Sequence, residues 1–261
     1  MSSEFIFEKK VDIFKYPTVA PCHKCDAGAQ IALGDLHGNA MKLIFVLVKH
    51  GIAKNITKKQ YDDLIAIYLT SVNDLTQTNL DFFNKILNEI SFDNAATLRL
   101  IGDELADRGK NDYFTLKILE KLHKNKVPVE ILLSNHSIEF IDNYEKNSSF
   151  IPKWLFGGQA QSMWNLDILI EKKLVSKQEM MTIVEEDYKP TLRVISYTLD
   201  ESKSGISIYS HAGIGLENIE YLAIKLSVEF KDDTLNDLAQ TIDRINTAFH
   251  IHVQNNTVNK L

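Results

Sequence analysis

Four short apolar runs in this chain each break off at a residue able to ligate a metal or carry a proton. They read "QIALGDLHG", "TLRLIGDELADRG", "VEILLSNHS" and "GISIYSHAG". Strands are expected over residues 29–34, 97–102, 127–133, 191–199 and 205–210. Between them apolar spacing near 3.6 residues predicts helices over 39–50, 57–70, 78–90, 112–124, 216–229 and 234–249, with 158–187 mostly helical. Strands alternating with helices predict an α/β fold, in which chemistry gathers at the carboxyl ends of the strands. All four of the unusual run ends fall at such places.

The residue types define the chemistry these ends would support together. Asp35 and His37 flank Leu36, so in extended backbone both point the same way and can reach one ion, while Gly34 and Gly38 permit close backbone approach. Asp103 ends the second run, and a carboxylate can bridge two cations. Asp107 and Arg108 follow it. Asn135 offers an amide oxygen, and His136 beside it can donate a proton. His211 ends the fourth run. Taken singly, each motif also reads as a polar turn or a helix cap. Taken together, Asp-x-His, Asp, Asn and His form a mixed nitrogen and oxygen donor set suited to divalent Zn, Mn or Fe, without thiolate.

Composition narrows the classes. At 261 residues the chain is long enough for a substantial core, and 44% hydrophobic with 25% charged residues is ordinary for a globular protein. A net charge of −6 disfavours a nucleic-acid partner. Arginine occurs only at Arg99, Arg108, Arg193 and Arg244, so each is a candidate for bidentate phosphate binding. The start of the sequence shows no apolar signal region and the longest apolar run, Leu43 to Val48, is far short of a membrane span. The expectation is a cytoplasmic, non-membrane protein; export by a signal-independent route would leave the same sequence. Cys22 and Cys25 lack the second pair a structural zinc site needs, and read as reduced thiols.

"GDLHG", "GDELADRG", "SNHS" and "HAGIG" resemble, in order, the signature motifs of the calcineurin-like metallophosphoesterases, over about residues 29–215. The Asp-Arg-Gly and "HAG" elements resemble most the phosphoprotein phosphatase branch and the symmetrical diadenosine tetraphosphate hydrolases. The resemblance implies a four-layer αββα sandwich and a single domain over 1–261, with a helical insertion at about 52–93. It implies two divalent metals (Mn, Fe or Zn), with Asp35 and His37 on the first, Asp103 bridging, and Asn135 and His211 on the second. His136 becomes the general acid held by Asp107, and Arg108 the phosphoryl clamp. The implied activity is hydrolysis of phosphomonoesters on a phosphorylated protein or peptide by metal-activated water. The alternatives are a diadenosine tetraphosphate-type hydrolase or a catalytically weak phosphoprotein-binding module.

The sequence departs from the family pattern in three places. Ala106 lengthens the second motif by one residue. Ser134 and Ser137 stand where the third motif usually has Gly and an acid. The family's final metal histidine has no clear counterpart: in "AFHIHV", His250 and His252 continue a helical pattern. Either that motif lies outside this chain or the second metal has one ligand fewer.

Overall fold

Leu33 on the first strand, Leu98 and Leu100 on the second and Ile131 on the third are buried in one shared apolar core, which the alternation of strand side chains directs to one face. The computed structural model describes residues 11–19, 29–147, 149–152, 159–200 and 204–261. The Cys22 and Cys25 pair lies outside the described residues.

In chain order, β1 (Gln30–Leu33) leads into α1 (Ala40–Lys49), capped by Asn39, whose side chain accepts from the Lys42 N–H at 3.0 Å. A short β2 (Ala53–Lys54) precedes α2 (Lys58–Leu69) and α3 (Gln77–Glu89), which open with capping boxes at Thr57 and Thr76. β3 (Ser91–Phe92) pairs antiparallel with β2 and closes that helical pair at its base. Then come β4 (Thr97–Leu100), α4 (Asp112–Lys124), β5 (Val129–Leu132) and α5 (Asn135–Asn147). α6 (Gln161–Glu171) and α7 (Lys177–Ile183) follow, the latter running on through a π-helical turn over Val184–Tyr188. The remainder is β6 (Leu192–Arg193), β7 (Ser196–Leu199), β8 (Ile206–Tyr209), α8 (Leu216–Lys225) and α9 (Leu235–Gln254).

The central sheet is parallel, in the order β1-β4-β5-β6, with Gln30 to Leu33 in register against Thr97 to Leu100. α1 to α6 contribute to the core on one face. Across the other face lies the antiparallel pair β7-β8, backed by α8 and α9 through a second apolar cluster of Ile195, Ile219, Leu238, Ile242 and Ile245. Arg99 joins the two sheets. It is 2% exposed, donates to Glu130 at 3.1 Å, Ser196 at 2.9 Å and Gln30 at 3.0 Å, and stacks 4.1 Å over the Tyr209 ring.

The expected elements are present with two differences. The strand expected over 191–199 is two strands in different sheets, because the chain leaves β6 and crosses at Val194 and Ile195 to begin β7. "SNHS" is the start of helix α5, not a turn. Within 52–93, where helices are expected, α2 and α3 bury Tyr61, Leu64, Tyr68, Leu80 and Phe83 in the main core. No helix among the described residues is long and apolar enough to cross a membrane.

Candidate metal centre

Each of the first three motifs follows a strand of the parallel sheet, so parallel register delivers all three to the same edge. Asp35 lies two residues beyond β1, Asp103 three beyond β4, and Asn135 and His136 three and four beyond β5. His211, two residues past β8, arrives from the antiparallel pair.

The backbone at this edge is tightly constrained. Gly102 has φ +91°, and a Cβ there would stand 2.6 Å from His211 Nδ1 and 2.7 Å from Ser134 Cβ. Gly109 presses against Gly38 so closely that a Cβ would fall 1.9 Å from the Gly38 carbonyl oxygen. The Gly38 N–H donates to the Asp103 carbonyl at 3.0 Å. His37, Asp103 and Ala106 all adopt left-handed backbone, at φ 53°, 55° and 52°. Such conformations persist only where the surroundings impose them, and they cluster at functional sites.

Asp103 is central and buried. His211 Nε2 lies 3.5 Å from its Oδ1, and His37 Nδ1 3.6 Å from its Oδ2. Asp35 Oδ1 is 3.8 Å from His211 Nδ1. Two potential ligand trios result, Asp35–Asp103–His211 and His37–Asp103–Asp107, with Asp103 in both. In these trios Asp35 groups with His211, and His37 with Asp107. Asn135 is exposed at the start of α5, next to Ser134, whose hydroxyl accepts from the Asp103 N–H at 3.0 Å.

Hydrogen bonds fix the histidine tautomers. His211 Nδ1 donates to the Ile101 carbonyl at 2.8 Å, freeing Nε2 toward Asp103. A backbone carbonyl on the far ring nitrogen is the usual support for a metal-binding imidazole. His37 Nδ1 donates to Asp107 Oδ2 at 2.7 Å. His136 is held differently from expectation. Its Nδ1 donates to the Ala106 carbonyl at 2.7 Å, while Asp107 Oδ2 faces its Nε2 at 3.7 Å. The extra residue in the motif thus supplies the carbonyl that orients His136. Arg108 is the exposed member: Nη2 lies 3.4 Å from His37 Nδ1 and Nε 3.4 Å from Asp107 Oδ1. Arg99, Arg193 and Arg244 are engaged away from this site, with Glu130, His250 and Glu229.

Beneath the edge lie two acids the sequence did not single out as site residues. Glu104 is fully buried, accepting from Tyr188 at 2.5 Å and Ser137 at 3.0 Å; burial pushes its carboxyl up. Ser137 in turn bonds Ser134, so this network reaches the Asp103 N–H. Asp112 is also fully buried and is pushed up to about 7 by desolvation. It accepts from the Ala106 N–H at 2.9 Å, and the Ser162 hydroxyl beside it accepts from the Asp107 N–H at 3.0 Å. Ser162 lies far along the chain on α6, and no spacing pattern could have tied it to the motif.

A metal fits these residues. Asp103 Oδ1 is buried and has no hydrogen-bond partner in the structure, a costly state for a carboxylate oxygen that a cation would relieve. The donors are hard oxygen and imidazole nitrogen, suited to divalent ions. His250 and His252 are not part of this cluster. Both lie in α9, as their helical spacing predicts, with His250 against Arg193 and His252 against Thr257 at 3.1 Å.

Residues shared between a parallel sheet edge and a carboxylate–histidine cluster define an α/β protein with a candidate metal centre. Comparison with known proteins makes the class specific. Residues 97–261 match the WipA-like phosphatase domain. The crystal structure of the phosphatase domain from the Legionella effector WipB superposes with a TM-score of 0.83 at 33% identity, over 89% of this chain and 83% of that one. No curated protein matches. The chain belongs to the WipA-like phosphatase domain family, and it is a phosphatase.

Proposed function

We propose that this phosphatase is a metal-dependent hydrolase of phosphorylated proteins or peptides, working as a calcineurin-like metallophosphoesterase. The observation that carries this reading is Asp103, a buried carboxylate shared by two ligand trios with one oxygen unpartnered. The layer order supports it: helices, the parallel sheet, the β7-β8 pair, then α8 and α9 correspond to an αββα sandwich in one domain, with 52–93 as its helical insertion.

Asp35, His37, Asp103, Asn135 and His211 would hold the two ions, and Asp107 stands close enough to His37 to share in this. Such a pair would supply a nucleophilic water near neutral pH and draw charge from the phosphoryl oxygens. The side chains do the rest. Arg108, with its guanidinium in solvent at the rim, offers a planar fork to the phosphoryl group. His136 presents Nε2 toward the site, 3.7 Å from Asp107 Oδ2, where its proton can pass to the departing oxygen. Gly38 and Gly109 bring two loops into main-chain contact, which fixes the distance between the His37 and Asp107 sides of the site.

The test is hydrolysis of phosphoserine, phosphothreonine and phosphotyrosine peptides, with diadenosine tetraphosphate in parallel, after chelation and re-addition of Mn, Fe or Zn. Full activity in the chelated protein would end the metal reading. Preference for the dinucleotide would transfer the assignment to the nucleotide hydrolase. His136→Asn should lower kcat on a phosphoserine peptide by roughly 10²–10⁴-fold and on para-nitrophenyl phosphate far less, because an aryl leaving group needs little protonation.

A further inference from the structure

We propose that Asp112 is a positioning residue for the phosphatase reaction, holding His136 through the Ala106 peptide. The proposal rests on the reading of His136 as proton donor and extends it to a residue that touches no reacting atom.

The chain of contacts is short and continuous. Asp112 Oδ2 accepts from the Ala106 N–H at 2.9 Å, and the carbonyl of the same residue accepts from His136 Nδ1 at 2.7 Å. Ala106 itself sits in left-handed backbone at φ 52°, a conformation alanine rarely adopts unaided. Two hydrogen bonds at opposite ends of this residue therefore fix its orientation: the carboxylate holds the donor end, which aims the acceptor end at the imidazole. The His136 ring then has one rotation that satisfies Nδ1, and this rotation turns Nε2 toward Asp107 and the cluster.

Ser162, beside Asp112, holds the next residue. The Ser162 hydroxyl beside Asp112 accepts from the Asp107 N–H at 3.0 Å, and the Ser162 N–H donates to the Asp107 carbonyl at 2.8 Å. Asp112 and Ser162 thus hold the N–H groups of Ala106 and Asp107, one on each side of the Ala106 residue. The helix of α4 does not need it as a cap, since Asn111 fills that role by accepting from the Tyr113 N–H at 2.9 Å. The lengthened motif creates the need: an added residue places a flexible peptide between Asp103 and Asp107, and Asp112 removes that freedom.

The test compares Asp112→Ala with Asp112→Asn, whose amide oxygen still accepts from Ala106. Kinetics are measured on a phosphoserine peptide and on para-nitrophenyl phosphate in the metal-loaded enzyme. Asp112→Ala should lower kcat on the peptide by roughly ten- to a hundredfold with KM little changed, and should affect the aryl substrate much less. Asp112→Asn should recover most of that loss. In a His136→Asn background, Asp112→Ala should add no further loss on the peptide. Equal losses on both substrates, or full additivity with His136→Asn, would overturn the proposal while leaving the proton donor intact. If His136→Asn fails to distinguish the two substrates, the underlying reading of His136 falls first. Asp112→Ser serves as a second deletion of the acceptor; if neither deletion folds, Asp112 is structural and the proposal is wrong.

Discussion

Gly102→Ala tests how rigidly the fold and the centre are joined. The backbone there stands at φ +91°, which costs a side-chain-bearing residue roughly 1–2 kcal/mol. The new methyl would begin 2.6 Å from His211 Nδ1 and 2.7 Å from Ser134 Cβ. Restoring an ordinary contact of 3.4 Å would push the imidazole away by about 0.8 Å. Overpacking of this kind costs roughly 1–3 kcal/mol. The sum is about 2–5 kcal/mol, a fall in melting temperature of roughly 5–15 °C for a chain of this size. The displaced ring would also lose its 2.8 Å bond to the Ile101 carbonyl and carry Nε2 away from Asp103. Displacements near 1 Å at a reacting centre cost on the order of 10²-fold in rate. The assay is thermal denaturation of the metal-free protein together with activity and bound metal after reloading. Gly34→Ala is the control, since a Cβ there meets nothing within 4 Å, and it should melt like wild type. A Gly102→Ala protein with unchanged melting and full metal content would refute the argument that Gly102 is the contact point between strand β4 and His211.

Other perturbations probe separate links. Asp103→Asn should abolish activity and metal loading without unfolding the protein; elemental analysis finding two ions in an active variant would refute a bridging role. Arg99→Met should destabilise by about 2–4 kcal/mol, because it leaves Glu130 and Gln30 facing an apolar side chain between two sheets, as urea denaturation would show. Asp112 holds its proton up to about pH 7 when folded and only to about pH 4 when unfolded, so its contribution is fully present at low pH and is lost as pH rises through 7. In metal-free protein the melting temperature of Asp112→Asn relative to wild type should therefore climb between pH 4 and 7 and then level off; a flat difference would show that Asp112 does not titrate in this range.

How much of this was legible in the sequence depends on whether local pattern or tertiary contact set the answer. The parallel strands and the α1 to α4 helices follow from apolar spacing and from caps such as Asn39, Thr57 and Thr76. The approach of Asp35, His37, Asp103 and His136 to one another follows from strand ends alone, because parallel register brings those ends together, whereas His211 arrives from the antiparallel β7-β8 pair. α5 was hidden, because "NHSIEF" mixes polar and apolar residues and its cap, Ser134, looked like part of a turn. The break at Val194 and Ile195 was invisible because both residues favour strand, and only the change of sheet separates them. Glu104, Asp112 and Ser162 act through burial and through partners distant in the chain, information no window of sequence contains.

The β2-β3 pair has a consequence for how the chain could be assembled and varied. β1 and β4 must meet in parallel across the whole of residues 34–96, a connection slow to close if it behaves as one loose loop. Pairing Ala53 with Phe92 and Lys54 with Ser91 pinches α2 and α3 into a locally closed lobe, leaving only the short arms 34–52 and 93–96 to be ordered when β1 docks on β4. The lobe can form first and shorten the search. The same pinch marks a seam at which evolution could exchange the lobe's outer turns, so long as Tyr68 keeps its place against Gly38 and Lys110.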